Sequence, residues 1–290
     1  MKFNEFKVNR IAVPTDFSQA ANVAIDHAAD LAKRFGAEII LIHILDASAY
    51  GGIFVTTQKS EYKDMELAQL KLQEESEKLR KRTGLQVLHF VSSGRVYDEI
   101  VRIANEEHAD LIVMGTHGVS GWAEFFAGSN AFKVVTQSDC PVLSIQENAT
   151  KTELKNIILP IDQTDETRQK VRYAVAFAKK FDATIHIASL LTDDEPAVRY
   201  DFEKKVKQIA DYFDREGVRH TQTTLVGSNL ATMTMNFGES KGGNLIVMMT
   251  EQEANLTGFL MGPYAQQLVN HSRIPVLSIS PEEGEGFSLT

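Results

Sequence analysis

The sequence predicts an α/β protein made of two tandem, doubly wound, five-stranded parallel-sheet domains. Two observations lead there. The chain repeats itself once, and within each copy short strands that are apolar throughout alternate with amphipathic helices, the pattern of a parallel sheet covered on both faces. The length of 290 residues suits two such units at roughly 150 residues each.

Two pairs of segments carry the repeat. Ile11-Ala12-Val13-Pro14-Thr15-Asp16 returns as Ile157-Ile158-Leu159-Pro160-Ile161-Asp162 at an offset of 146. Cys140-Pro141-Val142-Leu143-Ser144-Ile145 returns as Ile274-Pro275-Val276-Leu277-Ser278-Ile279 at an offset of 134, so the second copy has lost 12 residues from its middle. The polar stretch 146–152 separates the copies, and domains are expected at 1–147 and 153–281.

Along the first copy, the apolar run 11–13 is a strand ended by a Pro-Thr-Asp turn. A helix follows with Ile25, Ala28, Ala32 and Phe35 on one face, and Val171, Ala174, Ala178 and Phe181 keep that face at the same offset. A near-continuous apolar strand at 38–45 and a charged helix from about residue 60 to 82 come next, its 74–82 stretch reading as a solvated face with i,i+4 pairs. Strand 85–91, helix 96–107, strand 111–114, a glycine-bearing loop, helix 129–137 and strand 142–145 complete the unit. The segment 46–59, with its Gly51-Gly52 pair, is read as a lid or a plain loop, and accounts for most of the shortening in the second copy.

Composition excludes several classes of function. With 39 acidic against 30 basic residues the formal charge is −9, which offers no general attraction to nucleic acid or to an anionic membrane. No apolar run approaches the roughly 18 residues that span a bilayer. The single Cys140 cannot form an internal disulfide, and charges among the first seven residues break any signal-peptide pattern, so a cytoplasmic location is expected. The tail 281–286 is too polar to order itself.

In an open parallel sheet, ligands bind beyond the carboxyl ends of the strands where strand order reverses. Two segments converge there: Val13-Pro14-Thr15-Asp16-Phe17-Ser18, and Met114-Gly115-Thr116-His117-Gly118-Val119-Ser120-Gly121, which runs on to Gly128-Ser129-Asn130. Glycines let the backbone approach a ligand closely, and Gly128-Ser129 opens a helix whose first N–H groups have no partner within the helix. A phosphate there meets free donors and the positive end of the helix dipole. Ser129 adds a hydroxyl. Asp16 would accept hydrogen bonds from a sugar hydroxyl or a base amine, or would instead cap the helix beginning near Ser18.

Other residues carry simpler readings. His117, inside the loop, would contact phosphate or stand as an exposed histidine with no partner. His27, His43, His89 and His108 lack metal-ligand spacing, Cys140 reads as a buried, inert thiol, and Met233, Met235, Met248 and Met249 as core filler. Trp122, Phe125 and Phe126 are expected to pack under the loop or against a partner. No lysine follows the glycines as a P-loop requires, no G-x-G-x-x-G follows the first strand, and no catalytic triad order stands out.

Gly115-Thr116-His117-Gly118, nine residues, then Gly128-Ser129 resembles the G-x2-G-x9-G-(S/T) nucleotide signature of the universal stress protein family. Val13 to Ser18, the Val91-Ser92-Ser93-Gly94 stretch and the closing Cys140 to Ile145 are similar to that family as well. The resemblance covers residues 7–146 and, more faintly, 154–280, so the whole chain looks like a tandem member. It implies an adenine nucleotide alpha hydrolase-like fold with strand order 3-2-1-4-5 and bound ATP, with Mg²⁺ or Mn²⁺ bridging phosphate oxygens and water. Carried over by position, Pro14, Thr15 and Asp16 would line the adenosine end, with the backbone near Ile44 at the adenine edge. Met114 and Gly115 would flank the ribose, and Gly118, Gly128, Ser129 and Asn130 would hold the phosphates, with His117 a further candidate inside the loop. It also implies that the two terminal strands pair within one chain, as an intramolecular pseudo-dimer open to further homodimerisation.

The second copy departs from this pattern. At offset 134, Gly115, Gly118 and Ser129 become Met249, Gln252 and Pro263, only Gly128 survives, as Gly262, and Glu251 and Glu253 add negative charge. One nucleotide per chain is therefore expected, in the first copy. The leading reading is a stress-response regulatory protein whose ATP occupancy is sensed by an unidentified protein partner. The alternatives are a slow ATPase or self-phosphorylating protein using Ser129 or a nearby hydroxyl, and a nucleotide-free scaffold. No base, arginine clamp or lysine equivalent stands beside the phosphates in the sequence, which argues against fast turnover.

Overall fold

In the computed structural model of the chain, residues 5–46, 58–116, 129–149, 153–164, 166–192, 195–250, 252–255 and 258–281 are described. The expected lid, the aromatic residues at 122, 125 and 126 and the polar tail lie outside them or at their margin. Two compact units emerge: Val8–Glu147, and Asn148–Thr290 together with residues 5–7. Among the described residues no helix is long and apolar enough to cross a membrane.

The first unit runs β1 (Arg10–Pro14), α1 (Gln19–Phe35), β2 (Glu38–Asp46), α2 (Gln58–Thr83), β3 (Val87–Gly94), α3 (Val96–Glu106), β4 (Leu111–Gly115), α4 (Ser129–Gln137) and β5 (Val142–Ile145). All strand pairs are parallel and their order is β3-β2-β1-β4-β5. This is the expected 3-2-1-4-5 arrangement. Right-handed crossovers put α1 and α2 on one face of the sheet and α3 and α4 on the other. Covered on both sides, Ile11 to Val13, Ile39 to Ile42 and Leu111 to Val113 lose all contact with solvent.

Local chemistry sets the ends of α1. The Ser18 hydroxyl accepts a hydrogen bond from Ala21 N at 3.2 Å, and Gly36 ends the helix with φ 77°, a conformation that favours glycine. The core stripe of α1 is made of small residues, Ala20, Ala21, Ala24 and Ala28, which let the helix sink close to the sheet. Its closest approach is at the end of β4, where a Cβ on Gly115 would lie 2.9 Å from the Ala20 carbonyl oxygen and 3.2 Å from its Cβ. The space that a side chain would fill belongs to the backbone of α1.

In one respect the strands differ from expectation. β3 starts two residues later than its apolar run and continues through Ser92, Ser93 and Gly94, because these polar residues pair with Ile44, Leu45 and Asp46 of β2. Backbone pairing rather than side-chain burial sustains that extension.

The second unit comprises β6 (Asn156–Ile161), a 3₁₀ turn (Glu166–Arg168), α5 (Val171–Phe181), β7 (Thr184–Leu191), α6 (Pro196–Glu216), β8 (His220–Val226), α7 (Leu230–Ser240) and β9 (Leu245–Met249). It ends with β10 (Gln252–Asn255), β11 (Gly258–Met261), α8 (Pro263–His271) and β12 (Val276–Ile279). Its parallel strands order β12-β9-β6-β7-β8, the same winding as the first unit, while β10 and β11 form a separate antiparallel pair. Val171, Ala174, Ala178 and Phe181 are all buried on α5, as their spacing predicts. Phe6 joins this unit with its ring 4.5 Å from that of Tyr173.

Two consequences are measurable. Gly115→Ala forces α1 away from β4 and is expected to lower unfolding free energy by about 1–3 kcal/mol in urea titrations, as overpacking does; an unchanged midpoint would contradict the close approach. Burial pushes the Cys140 thiol up from its ordinary value, so less thiolate is present near neutrality. Alkylation by iodoacetamide at about pH 8 should be roughly tenfold slower for the native chain than for the unfolded one; equal rates would show an accessible thiol.

Candidate functional site

β1 lies between β2 and β4, with Ile11 opposite both Ile39 and Leu111. The chain leaves β1 over one face of the sheet and leaves β4 over the other, so a crevice opens at their carboxyl ends. Pro14-Thr15-Asp16 and Met114-Gly115-Thr116 therefore finish side by side. Ile44, two positions past Ile42, which pairs with Pro14, stands at the same edge on β2.

The loop after β1 is held by its own polar atoms. Thr15 N donates to Ile42 O at 2.8 Å, the Thr15 hydroxyl accepts from Phe17 N at 3.0 Å, and Asp16 Oδ1 accepts from Ser18 N at 3.0 Å. Asp16 thus orders the turn that precedes the helix, while Ser18 is the cap itself. The Asp16 side chain is exposed. Phe17 adopts φ 63°, uncommon for a bulky residue and costly unless its surroundings enforce it.

Those surroundings come from β2 and α2. His43 Nδ1 donates to Thr15 O at 2.7 Å, the carbonyl being able only to accept. The Phe17 ring lies 4.6 Å from the His43 ring, and Lys71 Nζ stands 3.9 Å from the centre of the Phe17 ring. His43 is a supporting residue that metal-ligand spacing rules pass over. Its cue in the sequence is a lone imidazole inside an otherwise apolar strand, where it fixes the neighbouring loop.

On the β4 side, Met114 and Thr116 are buried, and Thr116 N donates to Ile145 O at 3.0 Å. His117, Gly118 and Gly128 lie outside the described residues. The chain is described again at Ser129, the first residue of α4, followed by half-buried Asn130. A third loop, where β3 passes into α3, lies at the same end of the sheet. There Gly94 has φ 157°, and a Cβ would lie 2.9 Å from Glu99 Cγ. Glu99 Oε2 accepts from Ser92 Oγ at 2.6 Å, and Arg102 with that serine holds its carboxyl below the usual carboxylate range. Among the described residues no three His, Cys, Asp or Glu side chains gather as metal ligands.

The corresponding edge of the second unit is built differently. α5 begins at Val171, whereas at offset 146 the start of α1 corresponds to residue 165; the 3₁₀ turn occupies the interval and packs against β9. Met249, the counterpart of Gly115, is a buried side chain of 7 % exposure. The approach of α1 to Gly115 needs a position without a side chain, and this counterpart carries one. Asp162 is engaged locally, its Oδ1 accepting from Thr164 N at 2.9 Å and from Thr164 Oγ1 at 2.5 Å. Lys170, 1 % exposed, donates from Nζ to the buried Thr167 hydroxyl at 3.0 Å. Its counterpart in the first unit is the fully buried Ala24, so the repeat register already placed this lysine at a core position. Beyond β9, the β10–β11 pair stands where the first copy has its glycines, and Pro263 at the first position of α8 supplies no N–H.

Comparison with known proteins agrees with this architecture. The family model described as universal stress protein family matches residues 7–146 and 153–280. Universal stress protein MJ0531 of Methanocaldococcus jannaschii is 34% identical over 141 residues, which are 48% of this chain and 82% of the relative. Universal stress protein MJ0577 of the same organism is 31% identical over 153 residues, 47% of this chain and 94% of the relative. In three dimensions, a universal stress protein from Archaeoglobus fulgidus shares the fold with a TM-score of 0.77 at 17% identity, covering 95% of this chain and 99% of its own. Two matched domains, each with the winding of the family, establish that the chain belongs to the universal stress protein family.

Proposed function

We propose that the first unit binds one adenine nucleotide, ATP, and that the chain acts as a regulatory protein whose occupancy a partner reads. One observation carries this reading: the register Gly115, Gly118, Gly128, Ser129 spans from the end of β4 to the start of α4, beside the Asp16 loop at the end of β1. Both flanks of that register suit a nucleotide. α4 begins with N–H groups available to a phosphate, and the exposed Asp16 carboxylate stands at the strand edge for a ribose hydroxyl or a base amine. His43 and Phe17 support that loop from behind, which fixes the backbone of residues 14–16 before any ligand arrives. A divalent ion bound with the nucleotide would supply charge neutralisation at the phosphates, and among the described residues no cluster of His, Cys, Asp or Glu would cage it.

The second unit supports the opposite reading for itself. Met249, the buried Lys170 and Pro263 stand where a glycine, a small helix residue and a hydroxyl stand in the first. A scaffold or partner surface is the role that suits it.

The test is nucleotide content and stoichiometry. Denaturing the purified chain and identifying released nucleotide, then titrating ATP with magnesium by calorimetry, is expected to show a single site per chain. Gly118→Ala should weaken it by about tenfold or more, because the added methyl opposes close approach of phosphate. Two sites per chain, or none, would overturn the proposal. Phosphate release by the wild type no faster than by Gly118→Ala would remove the slow ATPase as a competing reading.

A further inference from the structure

α3 and α4 both start at the carboxyl edge of the first sheet, since each follows a strand, and they pack against each other. The first turn of α3 and the second turn of α4 meet at one aromatic ring that faces two cations. Lys133 Nζ lies 4.4 Å from the centre of the Tyr97 ring, and the Arg95 guanidinium carbon lies 5.9 Å from it, with Arg95 Nη1 donating to the Tyr97 hydroxyl at 3.3 Å. Tyr97 is the second residue of α3, and Arg95 is its N-cap, which supplies no side-chain hydrogen bond to the helix.

The position of Lys133 is set by helix geometry. It is four residues beyond Ser129, hence on the same face of α4, and helical side chains lean toward the helix start. Its amine reaches the Tyr97 ring at the start of α3, 4.4 Å from the ring centre. Lys133 makes no ion pair among the described residues, and Arg95 reaches only the exposed Asp98, at 3.4 Å. Glu99, the other carboxylate in this turn, is taken by Ser92 and Arg102. Two positive side chains held on one ring, next to the positive ends of two helices, repel each other and gain from an anion between them.

We propose that Lys133 and Arg95 form a cationic clamp for the outer phosphates of the nucleotide, so that the site selects for a polyphosphate tail. The inference rests on the nucleotide reading of the first unit and deepens it by naming what sets its specificity. A monophosphate is served by the glycine loop and the start of α4. The clamp adds charge only for a ligand that extends past them, toward the Tyr97 ring. Lysine and arginine differ here in a useful way, the flexible amine following the ligand and the planar guanidinium staying against the ring.

Affinities of ATP, ADP and AMP, with inorganic tripolyphosphate as a competitor, separate this from the parent reading. Lys133→Gln and Arg95→Gln each leave the fold alone, since both side chains are exposed. Each is expected to weaken ATP and tripolyphosphate by about fivefold while AMP changes by less than about twofold, and Lys133→Arg should restore most of the loss. An ATP to AMP affinity ratio that is the same in wild type and both variants would overturn the clamp while leaving nucleotide binding intact. Failure of the wild type to bind either ATP or AMP would overturn the nucleotide reading, and the clamp with it.

Discussion

The close approach of α1 to the end of β4 is the constraint on which the first unit depends. Gly115 has no side chain because the Ala20 carbonyl occupies its place, and the alanine stripe of α1 makes that contact possible. With the helix seated so low, the loop between β1 and α1 must turn sharply, and Phe17 takes up a left-handed conformation to do it. His43 and Lys71 hold the ring that results. The consequence is a rigid backbone edge at residues 14–16 facing the end of β4, which is what a small ligand at the strand-order reversal requires.

In the second unit that contact is lost, and the edge is rebuilt around its absence. A buried methionine stands at position 249, and the helix after β6 begins later, behind a 3₁₀ turn. Lys170 enters the core where the first unit has an alanine, with Thr167 as a hydrogen-bond partner. Burying an ammonium is expensive unless polar groups answer it. Both units keep the same strand order with these two different edges.

Much of this was legible in the sequence. Strand and helix positions came from apolar runs and 3.6-residue spacing, and α4 and β5 match their expected bounds residue for residue. The repeat register also predicted which glycines the second unit lacks. The features that stayed hidden had no periodic signal. β3 extends through Ser92 to Gly94 on backbone pairing alone; β10 and β11 pair through a register that alternation in four-residue strands cannot specify; and the Thr15 to His43 bond links residues 28 apart in sequence. The Lys133 and Arg95 pair was invisible for the same reason, since only the packing of α3 on α4 brings them to one ring.

A ligand held at the backbone edge of the first unit should leave the second unit untouched, because a buried methionine stands there at the counterpart of Gly115. Amide hydrogen exchange with and without ATP and magnesium tests it most directly, because it reads both units in one sample. New protection is expected in the segments 14–18, 114–118 and 128–133, and none at 160–170 or 249–263. Protection that appears equally at the second set of segments would contradict it.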